Sequence, residues 1–445
     1  MKTKLKLFFP LILLMSCISL QAQEKKQLTL QEAIDLSIKN SHQLKNSQAK
    51  IEEATAALKE AVQKKLPDAS VSGSYLRLTT ANVDLKTKNN NSGGTGTSNE
   101  PPKVSQAMYG ILNLSLPIYQ GGRIRYGIES SEFLEKAARL DAEDDKDEVI
   151  QTTIEAFATL FKAKSAVRLV KENLAQSQQR AKDLGNLEKN GLLARNDLLK
   201  AELQSSNIEL SLLDAENNLQ LANVNMDLML GLSTNTELVL DTNGIAKKDD
   251  PRVLADYLQL ALTNRKDISA LDYRKKAAEN GVKTVKAEKY PSLMLTGGYI
   301  AADIPKVFSV TNAVNIGVGV SYNIASLWKN KAKVEVAEAK VKQVVQQQAM
   351  ADDNVTLQVN KNYFALISSR KKIEVYAKAV EQARENYRIV KNKFDNSLAT
   401  TTELLEADVA QLQAILSYTL ARADAFVAYN KLLQTAGVLS TELKK

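Results

Sequence analysis

Slid against itself by 224 positions, the 445-residue sequence matches Leu36 with Leu260, Asn40 with Asn264, Pro67 with Pro291, Gly73 with Gly297 and Tyr75 with Tyr299. Farther along the offset becomes 206, and Asn190-Gly191-Leu192 falls on Asn396-Ser397-Leu398, Leu198-Leu199 on Leu404-Leu405, and Gly231 on Gly437. Two copies of one unit must fold alike and pack as neighbours, which restricts the architecture more than length does. The change of offset places an insertion between Tyr75 and Pro117, where Asn89-Asn90-Asn91-Ser92-Gly93-Gly94 and Pro101-Pro102 form a polar loop. Copy one spans about 28–232 and copy two about 252–438, joined by a linker over 233–251.

Each copy reads as helix, two strands and a hairpin of two long helices, a mainly α fold with a small β component. Thr29-Leu30-Gln31-Glu32 has capping-box form, and the helix it opens is predicted to run toward Pro67. No proline follows Pro117 until Pro251, and none follows Pro305. Proline-free runs of this length suit uninterrupted helices, predicted as hairpins over about 123–230 and 327–436. One break interrupts each, at Asn190-Gly191 and Asn396-Ser397. A continuous helix over 123–190 would be about 100 Å long at the α-helical rise, so a rod or tube is expected.

The strands, predicted near 69–78, 108–118, 292–300 and 314–323, alternate with period two, with Ile111 and Met294 as apolar residues on the opposite faces of the second and third. Val314, Ile316, Val318, Val320 and Tyr322 make one face of the last, and Asn315, Gly317, Gly319 and Ser321 the other. Such ten-residue segments fit outer-membrane strands, with one lipid face and one watery face. One face of a soluble β-sandwich would show the same period. Four strands leave two edges that lipid cannot satisfy, so a membrane reading demands closure with other chains, eight strands from two or twelve from three.

Residues 1–22 read as an export signal: Lys2, Lys4 and Lys6, an apolar stretch from Leu5 to Met15, then small and polar residues. Cleavage after Ala22 competes with a lipobox-like Leu14-Met15-Ser16-Cys17, which would leave Cys17 as a possible lipidation site. Losing the signal lowers the net charge from +8 to +5, and interleaved acids and bases give no nucleic-acid footprint. A single His (His42) and a single Cys exclude a Cys/His metal site and disfavour His-dependent catalysis. No catalytic residue, metal site or cofactor is expected.

The exported start, the duplicated order, the turn Leu116-Pro117-Ile118-Tyr119-Gln120-Gly121-Gly122 and the tip Gly191-Leu192…Asp197-Leu198-Leu199-Lys200-Ala201 together resemble the TolC-type outer-membrane efflux proteins. The resemblance implies a homotrimer in the outer membrane, with a twelve-stranded barrel, an α-helical periplasmic tunnel, and linker 233–251 in an equatorial belt. It implies a passive export duct of a tripartite efflux or type I secretion system, opened by a periplasmic adaptor and an inner-membrane pump. By position in the family, Glu403 and Glu406 would ring the periplasmic aperture with six carboxylates, and Asp197 would take part in interprotomer hydrogen bonds that hold the aperture shut. Gly191, Leu192, Leu193, Phe394, Ser397 and Leu398 would form the adaptor-contact tips. Ser397 stands where the family has Gly, Phe394 where it often has Tyr, and Ala399 where it often has Arg.

Plainer readings stand beside these: Gly191 as a helix-ending glycine, and the acids as exposed helix residues. The run Asp141-Ala142-Glu143-Asp144-Asp145-Lys146-Asp147-Glu148 reads as a solvated helix face, as do Arg274-Lys275-Lys276 and Arg370-Lys371-Lys372. The alternative function is an exported coiled-coil scaffold or adhesin without a pore.

Overall fold

The computed structural model describes residues 25–82, 103–241, 250–305 and 307–443. The signal over 1–22 with Cys17, and most of the insertion, lie outside them. Two compact units emerge: the described residues to Ala49 with Leu140–Ile268 and those from Met350 onward, and Lys50–Arg139 with Ser269–Ala349.

The chain runs β1 (Lys25–Leu28), α1 (Leu30–Asn40), α2 (His42–Gln63), β2 (Asp68–Asn82), β3 (Lys103–Tyr119), α3 (Arg123–Lys189) and α4 (Arg195–Leu230). There follow β4 (Glu237–Leu240), α5 (Leu254–Asn264), α6 (Lys266–Ala287), β5 (Ser292–Ile304), β6 (Phe308–Ser321), α7 (Ser326–Asp395), α8 (Thr401–Thr435) and α9 (Leu439–Glu442). The long helices are continuous, 67 residues in α3 and 70 in α7. The loop expected over 79–107 is shorter, because β2 continues to Asn82 and β3 begins at Lys103, while β6 ends two residues early, at Ser321.

The opening helix of each copy differs from the sequence expectation. It is two helices, broken at Ser41 (φ −53°, ψ 123°) and at the equivalent Arg265 (φ −64°, ψ 127°). The cause is packing. Each break receives the glycine that ends the copy's last long helix, Gly231 or Gly437, both at φ +69°. A Cβ on Gly231 would stand 2.9 Å from Asn40 Cγ, and one on Gly437 2.9 Å from Arg265 N. Only glycine allows that approach in a left-handed conformation. Asn40 Nδ2 completes the junction by donating to Leu230 O at 2.6 Å.

In the first unit, α1 is capped by Thr29, whose hydroxyl accepts from Glu32 N at 3.1 Å, while the Glu32 carboxylate pairs with Lys26. Its core joins Ile34, Ile150, Ile154, Tyr257, Leu432 and Leu439, and beside them Leu28, Phe157, Leu160, Met226, Leu230 and Leu238. Leu28 and Leu238 belong to a parallel pair, β1 on β4, that the sequence reading missed. The acidic run corrects the expectation of a solvated face. Asp145 accepts from Ser47, Asp147 from Ser440, Glu148 from Gln43, and Glu143 pairs with Lys266. Burial, reinforced by Asp267, pushes Asp144 up to about 6.

The second unit holds one antiparallel sheet in the order β2-β3-β5-β6. Register runs Val71–Leu112–Tyr299–Val314 and, next to it, Ala69–Leu114–Gly297–Ile316, one apolar face crossing all four strands. The row between, Ser70–Asn113–Gly298–Asn315, faces the other way. The apolar face is bare, with Val71, Val314 and Val320 exposed and Ile316 at 83 %. Among the described residues no strand pairs with the outer edges of β2 and β6. No helix among them is long and apolar enough to cross a membrane.

Candidate functional site

The first unit carries both hairpin tips. After α3, the N–H groups of Gly191 and Leu192 return to Glu188 O (2.8 Å) and Leu187 O (2.9 Å). After α7, those of Ser397 and Leu398 return to Phe394 O (2.9 Å) and Lys393 O (2.7 Å). Both are the doubly bonded helix stop that needs a left-handed residue, Gly191 at φ +73° and Ser397 at φ +62°. Serine occupies that region at a cost, so Ser397→Gly is expected to stabilise the protein by about 0.5–1 kcal/mol. Thermal denaturation of the two proteins side by side measures it, and an unchanged midpoint counts against the strain.

The six tip residues divide. Leu192 and Leu398 project into solvent, 74 % and 76 % exposed. Leu193 and Phe394 instead pack together on Leu184, Leu198 and Ala201. The two tips thus share one apolar cluster, which the repeat offset alone does not reveal.

Behind the tips, the expected acids occupy three different settings. Glu403 closes a capping box at the start of α8: Thr400 N donates to its carboxylate at 2.6 Å, and Glu403 N to Thr400 Oγ1 at 3.2 Å. The backbone N–H and then the hydroxyl of Thr400 hold the Glu403 carboxyl below the usual range. Glu406 is exposed and lines a groove of about 560 Å³ between α4 and α8 with Lys200, Leu203, Asn207, Leu405 and Val409. Asp197 accepts from Lys200 Nζ at 3.3 Å, and the same ammonium donates to Thr402 Oγ1 at 3.3 Å. Lys200 therefore ties the copy-one tip to the start of α8.

Sequence reasoning missed the strongest polar contact near the tips. Arg180 on α3 donates from Nη1 and Nη2 to both carboxylate oxygens of Asp408 on α8, at 2.9 and 3.0 Å, and from Nη2 to Tyr387 Oη on α7 at 3.1 Å. The ions are nearly enclosed, with side chains 12 % and 3 % exposed. Burial alone would lower the Arg180 pKa, but Asp408 outweighs it and the guanidinium titrates above its ordinary value. A trace exists in the sequence: Asn173, Ser177 and Arg180 interrupt the seam of Val170, Leu174 and Leu184. Polar residues at seam positions mark specific pairing.

Asp227 is fully buried, and its Oδ1 has no hydrogen-bond partner among the described residues. Asn223 Nδ2 donates to Oδ2 at 2.9 Å, and burial pushes the carboxyl up to about 6 from 3.8. The fold therefore prefers the protonated acid, and the stability present below pH 4 is lost as pH rises toward 6. Asp227→Asn should remove its share of that slope, leaving the part due to Asp144, and gain about 2 kcal/mol at neutral pH. Denaturant midpoints at pH 5 and 7.5 measure it, and a slope as steep in the variant as in the parent refutes it. No group of His, Cys, Asp and Glu among the described residues is arranged to hold a metal.

The model of the outer membrane efflux protein family matches residues 33–232 and 257–438. Among solved structures, the chain superposes on the Campylobacter jejuni CmeC outer membrane channel with a TM-score of 0.77, at 18% identity over 93% of this chain and 88% of that one. The outer membrane protein VceC of Vibrio cholerae gives 0.74, at 19% identity over 92% and 96%. The open-state Neisseria gonorrhoeae MtrE outer membrane channel gives 0.71, at 17% identity over 92% and 89%. No curated protein matches the chain.

Proposed function

The chain belongs to the outer membrane efflux protein family, and from that premise we propose a passive export duct built of three copies. It is an outer-membrane efflux channel, with its strands in the bilayer and its helices in the periplasm. The observation that carries the trimer is the sheet: one face is apolar and bare across all four strands, and two edges lack partners. Backbone groups in lipid must be paired, so the edges close on other copies. Eight strands from two copies would be filled by their own side chains, whereas twelve leave a lumen. The helices support the same closure, since Leu203, Leu210, Leu221 and Leu228 expose one stripe of α4.

A channel of this kind has no energy source of its own, so a periplasmic adaptor and an inner-membrane pump complete the reading. Residues 28–232 and 252–438 are its two copies, and each presents one tip to the adaptor. Leu192 and Leu398 supply the exposed apolar contact, with Gly191 and Ser397 keeping the bend close; Leu193 and Phe394 support them from within. In three copies Glu406 makes a ring of three carboxylates, with Glu403 beside it engaged by its own helix cap and Asp197 by Lys200.

The test is a heat-modifiable, trimer-sized band in outer-membrane fractions, followed by conductance in planar bilayers. Absence from the outer membrane defeats the reading. Replacing Glu403 and Glu406 together by Ala should lower cation selectivity, with Glu406→Ala alone giving most of the change. Unchanged reversal potentials in the double variant would remove the acids from the aperture.

A further inference from the structure

A cavity in the second unit, at the strand–helix junction, is unusual in its charge. It holds about 380 Å³ and is walled by Gln120, Ser292, Ser321 and Asn323 near the strand ends and by Arg123, Lys329 and Lys333 on α3 and α7. Arg123 opens α3 and Ser326 opens α7, and neither helix has an acid in its first turn. By contrast α4, α5, α6 and α8 carry Asp197, Asp256, Asp267 and Glu403 in their first turns, while α2 has no acid there either. Bases at the positive end of a helix dipole are unfavourable, and an anion seated there reverses the balance. Arg123 and Lys329 are equivalent under the 206-residue offset, so both copies bring a base to one cavity.

A second observation is independent of charge. Ser326 (8 % exposed) and Asn330 (1 %) line the same cavity, and neither Ser326 Oγ nor Asn330 Oδ1 has a hydrogen-bond partner among the described residues. Asn330 is fixed in orientation, since its Nδ2 donates to Val285 O at 2.9 Å. Buried polar atoms without partners are rare in folded proteins, and a bound ion or water is one of the few things that satisfies them.

We propose that this cavity binds a phosphate group, neutralised by Arg123, Lys329 and Lys333 and bonded by the Ser326 hydroxyl after a turn about χ1. Glu288, which pairs with Lys333 at 2.7 Å, also lines the wall. With Asn330 Oδ1 it adds acceptors that a phosphate keeping one proton can satisfy and a fully ionised sulfate cannot. A phosphomonoester carries the same chemistry, whether on a soluble metabolite or as the headgroup of phosphatidic acid.

The experiment uses the full-length protein in a phosphate-free sugar detergent at pH 6.5, comparing inorganic phosphate, sulfate and chloride at equal ionic strength. Phosphate should raise the thermal midpoint by about 5 °C over chloride and by more than sulfate does. Lys329→Gln, on an exposed residue, should keep the midpoint in chloride yet weaken phosphate about tenfold by calorimetry, as should Ser326→Ala. Competition by vesicles containing phosphatidic acid, and not of phosphate-free glycolipid, assigns the site to lipid; its absence assigns it to a soluble phosphate. Phosphate indistinguishable from chloride, or binding unchanged in Lys329→Gln, overturns the proposal. Conductance is not part of the measurement, so that outcome leaves the export reading standing.

Discussion

Asp408→Ala is expected to cost about 3–5 kcal/mol of stability, because it strands a charged guanidinium in a site that water barely reaches. Arg180 would lose both of its carboxylate bonds and keep only the Tyr387 hydroxyl. Asn173 Nδ2, 3.4 Å from Asp408 Oδ2, would lose a contact as well. Removing both ions together, as Arg180→Met with Asp408→Leu, should cost much less than the two single changes added, since no buried charge remains. Denaturant titration of the four proteins in detergent gives the coupling. Additive effects would show that the ions act separately. The pair joins a helix of copy one to two helices of copy two, so its loss should also loosen the two hairpins near their tips.

The second large effect is expected on the sheet. Ile316→Lys places an ammonium on the bare apolar face and should cost about 2–4 kcal/mol if that face meets the middle of a bilayer. Its neighbour Asn315 belongs to the opposite, polar row. Asn315→Lys therefore serves as the matched control and should insert almost normally. The fraction that reaches the heat-modifiable form after refolding into lipid vesicles reports both. Equal loss in the two variants would mean that the faces are not distinguished by lipid.

Most of the scaffold was legible because its signals are local. A missing proline is visible in a string of letters, and so is strict alternation from Val314 to Val320. The breaks at Ser41 and Arg265 were not, since neither residue type announces an extended backbone; they are imposed by Gly231 and Gly437, far along the chain from each. The four-residue strands β1 and β4 are too short to show a period. At the tips, Gly191 and Asn396-Ser397 marked the bends. The capping role of Glu403 was readable too, in Thr400-Thr401-Thr402-Glu403, the same spacing that was recognised at Thr29. Arg180 and Asp408 lie more than two hundred residues apart, and only packing discloses such partners.

The pairing of β1 with β4 has a kinetic side. Lys25 to Leu28 align with Glu237 to Leu240, so the first strand of the chain finds its partner only after the whole first copy has emerged. Closing so large a loop is slow, and it comes after local helix formation. During export, β1 must wait with an unsatisfied edge until copy one is threaded through, and its docking then seals Leu28 into the core beside Phe157 and Met226. The first copy is thereby locked at its own two ends by a contact that only its complete chain can make.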